Sequence, residues 1–203
     1  MTNKQAAIKI IEQLRGNGFQ ALLAGGCVRD MLLRRRAKDH DVATEAQPQD
    51  VIRLFRRTLK VGAQFGVVIV LMENQQVEVA TFRTESGYDD GRHPGSVRFA
   101  GAAEDAGRRD FTINGMFYDP LEERVVDYVG GQADLDSRII RTIGTPAERF
   151  GEDYLRMLRA VRFSTQLGFA IEPATWAAVC NNASKITKIS GERIAVELEG
   201  ILA

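Results

Sequence analysis

Apolar and polar positions alternate along this chain with two different periods. In residues 3–13 the apolar positions recur at helical spacing, with Ala7, Ile10, Ile11 and Leu14 on one side and Gly16 and Gly18 as a stop. Residues 20–24 then read as a short buried strand, 28–35 as a helix and 42–44 as a second strand. Pro48 opens another amphipathic helix whose apolar side is Val51, Ile52, Leu54 and Phe55. The period drops to two in residues 66–72 and 76–82, a strand pair joined by the polar turn Glu73-Asn74-Gln75. Residues 83–107 carry no periodic pattern, and a loop of that length is usually functional or mobile. Strands at 116–119 and 125–128 flank the Glu122-Glu123 turn, and from Ala133 onward the pattern is helical. Within that part, residues 151–169 read as one helix, and two more follow with Pro173 and Ser190 near their starts.

These elements predict an α/β (α+β) fold. A small mixed sheet flanked by helices occupies residues 1–135, and a helical region follows over 136–203. With 203 residues, 44% hydrophobic and 27% charged, the chain is long enough for one core or two small lobes. Its longest apolar runs are far too short to span a bilayer, and the amphipathic N-terminus lacks the apolar stretch of a signal peptide. Cys27 and Cys180 form no disulfide framework and no zinc-type spacing, so a reducing, cytoplasmic setting is the simplest expectation. Zero net charge argues against a wholesale nucleic-acid-binding surface. Arginine is nevertheless dense at 34–36, 53–57 and 156–162, which fits either local phosphate grips or solvated helix faces.

Candidate chemistry concentrates in residues 22–44, LLAGGCVRDMLLRRRAKDHDVAT. Gly25 and Gly26 let the backbone approach a polyphosphate, a helix start behind them offers N–H groups, and Arg29 stands where a guanidinium could pair with phosphate. Asp39 and Asp41, two apart on an extended segment, point to one face. Their repulsion is relieved by cations, and two Mg²⁺ ions would serve. Each signal alone is an ordinary turn or solvated loop; their order within one strand–turn–helix–strand unit is what suggests a nucleoside triphosphate held over two carboxylates. Neither a Walker loop nor a dinucleotide fingerprint occurs in the chain.

This segment resembles the opening signature of the class II tRNA nucleotidyltransferase and bacterial poly(A) polymerase family, a Gly-Gly-x-Val-Arg-Asp stretch followed by Asp-x-Asp-x-Ala-Thr. Two departures are visible: Arg34-Arg35-Arg36 replaces the usual small residue after the double Leu, and His40 stands where an aliphatic residue is common. A second signature, RRDFTIN, spans residues 108–114, with Gly115 where Ala is common, and a third, EDYLR, spans 152–156.

The resemblance implies a nucleotidyltransferase head with a metal-binding pair, Asp39 and Asp41, and an acid on the 66–82 hairpin near it. Glu78 is that candidate, an ordinary solvated strand Glu being its alternative. Arg109 is implied to contact the nucleotide's phosphate or ribose. Asp110 either caps the following helix, which is preferred, or joins the metal site. On a continuous helix Asp153, Arg156, Arg159 and Arg162 form a polar stripe beside Leu155, Leu158 and Val161; the plain alternative is an amphipathic helix with an Asp153–Arg156 ion pair. By resemblance Asp153 and Arg156 read the base edge, while Arg159 and Arg162 face the triphosphate. Residues 83–107 correspond to a flexible loop near the site, and His93 within it reads as a loop residue rather than a base.

The implied reaction is template-independent, Mg-dependent transfer of nucleotides from ATP, and possibly CTP, to the 3′ end of tRNA. Poly(A) synthesis on RNA ends, or a non-catalytic nucleotide- or RNA-binding module, are the alternatives. Members of the family are about twice as long, with further helical domains, and residues 200–203 end in an apolar helical pattern, so a fragment is expected.

Overall fold

The computed structural model describes residues 1–60, 62–88 and 95–202. The helix α1 (Asn3–Gly16) is capped by Thr2, whose hydroxyl accepts from Gln5 N–H while the Gln5 side chain accepts from Thr2 N–H. Its apolar side, Ala6, Ala7, Ile10, Ile11 and Leu14, is fully buried. Burying each large aliphatic side chain contributes roughly 1.5–3 kcal/mol. There follow β1 (Ala21–Ala24), α2 (Gly26–Leu32), β2 (Asp41–Thr44), α3 (Pro48–Leu54) and a brief β3 (Thr58–Leu59). The hairpin is β4 (Val67–Met72) and β5 (Gln75–Thr81).

Residues 83–107, read above as lacking periodic structure, carry a two-stranded hairpin, β6 (Arg83–Ser86) with β7 (Ser96–Phe99), and the short helix α4 (Ala102–Gly107). The hairpin strands are mostly polar and α4 buries only Ala102, Ala106 and Asp105, so hydrophobic periodicity had nothing to report. His93 lies outside the described residues. The chain continues with β8 (Phe117–Asp119), β9 (Arg124–Val126), α5 (Gly131–Asp136), β10 (Ile139–Ile140), α6 (Pro146–Glu152), α7 (Leu155–Leu167), β11 (Ala170–Ile171), α8 (Pro173–Asn182) and α9 (Gly191–Leu202). The C-terminal helices are joined by one short parallel pair, β10 with β11.

Among the described residues seven strands form one mixed sheet in the order β3-β4-β5-β2-β1-β8-β9. Only β2 with β5 is parallel, in the register Val42↔Val79. One face, including Leu23, Val42, Val68 and Val79, belongs to the main core under α1. On the other face Leu22, Ala24, Ala43, Phe82 and Phe117 pack with Ala102 and Ala106 of α4. Phe82 and Phe117 meet edge to face at 5.7 Å, worth roughly 0.5–1.5 kcal/mol beyond their burial. Asp41 pairs in register with Ala24, which places this acid beside the turn that opens α2.

The stretch from 151 to 169 is not one helix. α6 ends at Glu152, Asp153 is extended at φ −150° and ψ 107°, and its carboxylate accepts from Leu155 N–H at 3.0 Å to start α7. An Asp that satisfies the orphan N–H groups of a new helix competes with helix continuation through itself. The buried side of α7 is consequently Leu155, Arg156, Met157, Ala160 and Phe163, with Leu158 and Val161 only half-buried.

Candidate active site

Two recesses meet at Asp41. The larger, a cleft of about 490 Å³, is lined by Gly25, Gly26 and Arg29 of the β1–α2 turn, Arg108 to Asp110 after α4, and Asp153, Arg156, Arg159 and Arg193 from the helical region. The smaller is lined by Asp39, His40, Asp41, Ile69, Gln76 and Glu78. Its geometry follows from the sheet: Ile69 pairs with Glu78, and Val42 with Val79, so Glu78 and Asp41 are corresponding neighbours on parallel strands.

Solvent reaches the Asp41 residue, yet protein crowds its carboxyl. That crowding, then Glu78, then Asp39 push its pKa up to about 6, against an opposing pull from Arg109. Among the described residues no three His, Cys, Asp or Glu side chains converge as a preformed metal cage. The donors are nonetheless all carboxylate oxygen, the chemistry a hard cation such as Mg²⁺ takes, and their mutual repulsion is what such a cation relieves. In this chemical sense the residues fit a divalent ion.

Gly25 sits at φ 74° and ψ −135°, and an added Cβ would lie 3.2 Å from Nη1 of Arg109. The turn therefore needs glycine both for its backbone conformation and for the approach of that guanidinium. Arg109 lies 4.9 Å over the Phe117 ring and donates to Asp105 at 2.9 and 3.1 Å, while Arg108 holds the other oxygen of Asp105. Burial would raise Asp105, but the two guanidiniums hold its carboxyl below the ordinary range. Arg29 donates to Asn114 at 2.8 Å and to Asp30 at 2.7 and 2.9 Å. Asp105 and Asn114, which orient these arginines, were not singled out from the sequence, although Asn114 closes the RRDFTIN stretch and Asp105 lies three residues ahead of it. At Gly115 a methyl group would sit 2.7 Å from Val129 and 2.8 Å from Ile143, so these side chains fill the space an Ala would need.

Asp110 does not act mainly as a helix cap. It accepts from its neighbour Phe111 N–H and from Asn114, but its second oxygen takes Arg159 at 2.5 and 2.8 Å. Burial alone would raise Asp110, and Arg159 instead keeps it below the usual range. The Asp153–Arg156 ion pair of the plain helix reading is absent among the described residues: Arg156 pairs with Glu152 at 2.5 Å, and Asp153 with Arg193 of α9 at 2.7 Å. Arg193 is a cleft residue that no motif marked.

Arg162 does not line the cleft. It pairs with Glu197 at 2.6 Å and lies 4.5 Å over Phe163. Steps of three along an α-helix drift by about 60° each, which turns Arg162 well away from Arg156. Phe163 is the shared support, since Arg29 and Arg159 also stack on it at 5.2 Å. The structure thus brings together Gly25, Gly26, Arg29, Asp41, Arg109, Asp153, Arg156 and Arg159, sets Asp39 and Glu78 in the adjoining recess, and leaves Arg162 behind Phe163.

The chain as a whole is similar to known proteins. The Poly A polymerase head domain family matches residues 21–141, and the family described as the probable RNA and SrmB-binding site of polymerase A matches 168–203. A CCA-adding enzyme of Bacillus subtilis is 47% identical over 197 residues, covering 97% of this chain and 49% of that protein. The crystal structure of Bacillus stearothermophilus CCA-adding enzyme in complex with CTP superposes with a TM-score of 0.90 at 43% identity, over 100% of this chain and 49% of that one. A tRNA nucleotidyltransferase complexed with a primer tRNA and an incoming ATP analog gives 0.72 at 27% identity, over 94% of this chain and 55% of that one. The chain spans about half the length of the curated relatives it matches. Matched by the family model over residues 21–141, and 47% identical to a relative across 97% of its own length, this chain belongs to the Poly A polymerase head domain family of nucleotidyltransferases.

Proposed function

We propose that the chain carries the catalytic head, residues 1–135, and a nucleotide-selecting helical region, 136–203, of an enzyme that adds nucleotides from ATP and CTP to the 3′ end of tRNA without a template. The observation that carries this is the meeting of the two recesses at Asp41: a carboxylate group adjoins an arginine-lined cleft, as attack on an α-phosphate requires. The names of the relatives and the CTP and primer tRNA in the solved neighbours support the same reading.

Asp39 and Asp41, with Glu78 beside them, would hold two Mg²⁺ ions. Bound there, Mg²⁺ supplies charge neutralisation at the transferring phosphate and lowers the pKa of a coordinated hydroxyl. The chain's own groups do the positioning. Gly25 and Gly26 let the triphosphate lie close to the backbone, and Arg29, Arg109 and Arg159 donate to its oxygens from fixed orientations. Asp153 accepts from an exocyclic amine and Arg156 donates to a ring nitrogen or carbonyl, which selects C and A. Arg162 acts indirectly, by seating Phe163. The setting is cytoplasmic, consistent with two unbridged cysteines among the described residues.

Extension of tRNA ending before CCA, after C and after CC, with CTP, ATP or both and Mg²⁺, tests this directly. Two Cs and one A are expected. A single A on the CC end alone would mark an A-adding enzyme. A long A ladder would mark the poly(A) polymerase that the head-domain family's description favours as the second reading. No product together with Mg·ATP binding would mark a non-catalytic module.

A further inference from the structure

A groove of about 790 Å³ runs between the start of α1 and the segment after α2, and its lining includes Lys4, Arg34, Arg35, Arg36, Lys38 and His40. Among the described residues no carboxylate lines it. The arginines of the nucleotide cleft offer a contrast, because Arg29, Arg108, Arg109, Arg156, Arg159 and Arg193 each hold a carboxylate already. Among the described residues Lys4, Arg34, Arg36 and Lys38 hold none, and all four are exposed. Arg35 reaches only a carbonyl, that of Gln166, at 3.1 Å. In a chain of zero net charge this is a concentration of like charge without internal compensation.

Arg34 is also placed against its conformational preference. Its φ is 55°, and Arg35 N–H bonds back to Asp30 C=O at 2.8 Å, the closing bond of a helix that ends through a left-handed residue. Glycine is the ordinary occupant there, and an L side chain costs roughly 1–2 kcal/mol. A cation retained at that cost points to a use for its charge. The groove adjoins the acids, since His40 lines both it and the Asp39–Asp41–Glu78 recess.

We propose that this groove is a phosphodiester track for the single-stranded RNA that delivers its 3′ end to the acid recess. Arg34, Arg36 and Lys38 contact backbone phosphates and read no base. This rests on the proposed RNA-extending function and adds to it a binding surface outside the nucleotide cleft. Spacing along the track follows from charge alone, so binding is sequence-tolerant and falls steeply with salt.

The test is fluorescence anisotropy of a short labelled RNA ending in CC with the full chain and with Arg34→Gly/Arg36→Ala, across a NaCl series, beside equilibrium dialysis of Mg·ATP. Arg34→Gly relieves the left-handed strain, so the variant is expected to melt no lower than wild type. RNA affinity should fall roughly tenfold at about 0.1 M salt, and the slope of log K against log salt should shallow by about 0.7 for each cation removed. Mg·ATP affinity should be unchanged. Equal RNA binding by both proteins, or no RNA binding by the wild type, overturns the track. Equal RNA binding accompanied, in co-sedimentation with phosphatidylserine vesicles, by a loss of vesicle binding in the variant would overturn it in favour of a membrane surface. Failure of wild-type Mg·ATP binding with the RNA effect intact would instead overturn the nucleotide-transfer reading and leave the track standing.

Discussion

Asp41 on β2 and Glu78 on β5 are corresponding residues of the sheet's one parallel strand pair among the described residues, each immediately preceding the paired Val42 and Val79. Crowding by the surrounding protein first, and then the neighbouring Glu78 and Asp39 carboxylates, raise the pKa of Asp41 to about 6. Because this folded value lies above that of an unfolded Asp, the native state holds the extra proton between about pH 4 and 6, and stability falls as pH rises through that window. Asp41→Asn should therefore melt higher than wild type at pH 7 to 8 in EDTA, with the difference shrinking toward pH 4. Transfer should drop at least roughly a thousandfold, the scale of several kcal/mol of transition-state stabilisation. A thermal scan over pH beside a single-turnover assay checks both; near-full activity would remove Asp41 from the metal site.

Gly25→Ala puts a side chain at φ 74° and ψ −135°, against Nη1 of Arg109. A loss of about 1–3 kcal/mol in stability is expected from the backbone strain, measured by urea denaturation. Weaker Mg·ATP binding should accompany it, because Arg109 has to shift.

Arg159→Ala leaves Asp110, 11% exposed, without its ion partner. The cost should be below the roughly 3–5 kcal/mol of fully buried pairs, since Arg159 is itself 32% exposed. Asp110→Asn in the same background should recover part of it. The sign in pH is opposite to that of Asp41. A depressed carboxylate stabilises fully above about pH 4, and that contribution is lost as pH falls through its folded value. Acid titration of the melting temperature should accordingly be shallower in Arg159→Ala than in wild type.

Asp153 has two jobs that can be separated. Its bond to Leu155 N–H starts α7, so Asp153→Ala should cost about 1 kcal/mol, whereas Asp153→Asn or Ser keeps a cap and much of the stability. Discrimination between CTP or ATP and the other two nucleotides should fall roughly ten- to a hundredfold in all three variants if its carboxylate reads the base. Unchanged selectivity with a lost cap would leave Asp153 purely structural.

The sheet strands and α1 were legible because their burial is one-sided and their side chains large. Of the expected acid pair only Asp41 stands on a strand, opening β2, while Asp39 precedes it outside regular structure and lines the same recess. What escaped the sequence was built from small or polar residues: α4 is held by two alanines and a buried Asp105, and the hairpin before it has little apolar pattern. The break at Asp153 escaped because helical periodicity runs through it, while the decisive event is one side chain bonding a backbone N–H two residues on. Arg162 shows the same limit, since a count of three places residues near one another without saying which neighbour will claim a guanidinium. Here Glu197, 35 residues away, claims it.

The carboxylate partners of the cleft arginines have a consequence for traffic through the site. In the proposed reaction an arriving triphosphate would not fall into a bare well of positive charge; it would trade places with Asp30, Asp105 and Asp110 for hydrogen bonds those acids already hold. Association of this kind would be a substitution, nearly balanced in charge and modest in depth, with the displaced acids at hand to reclaim the guanidiniums. Pyrophosphate would meet the same competition on its way out, so a cleft wired this way favours release, and repeated use, over tight retention.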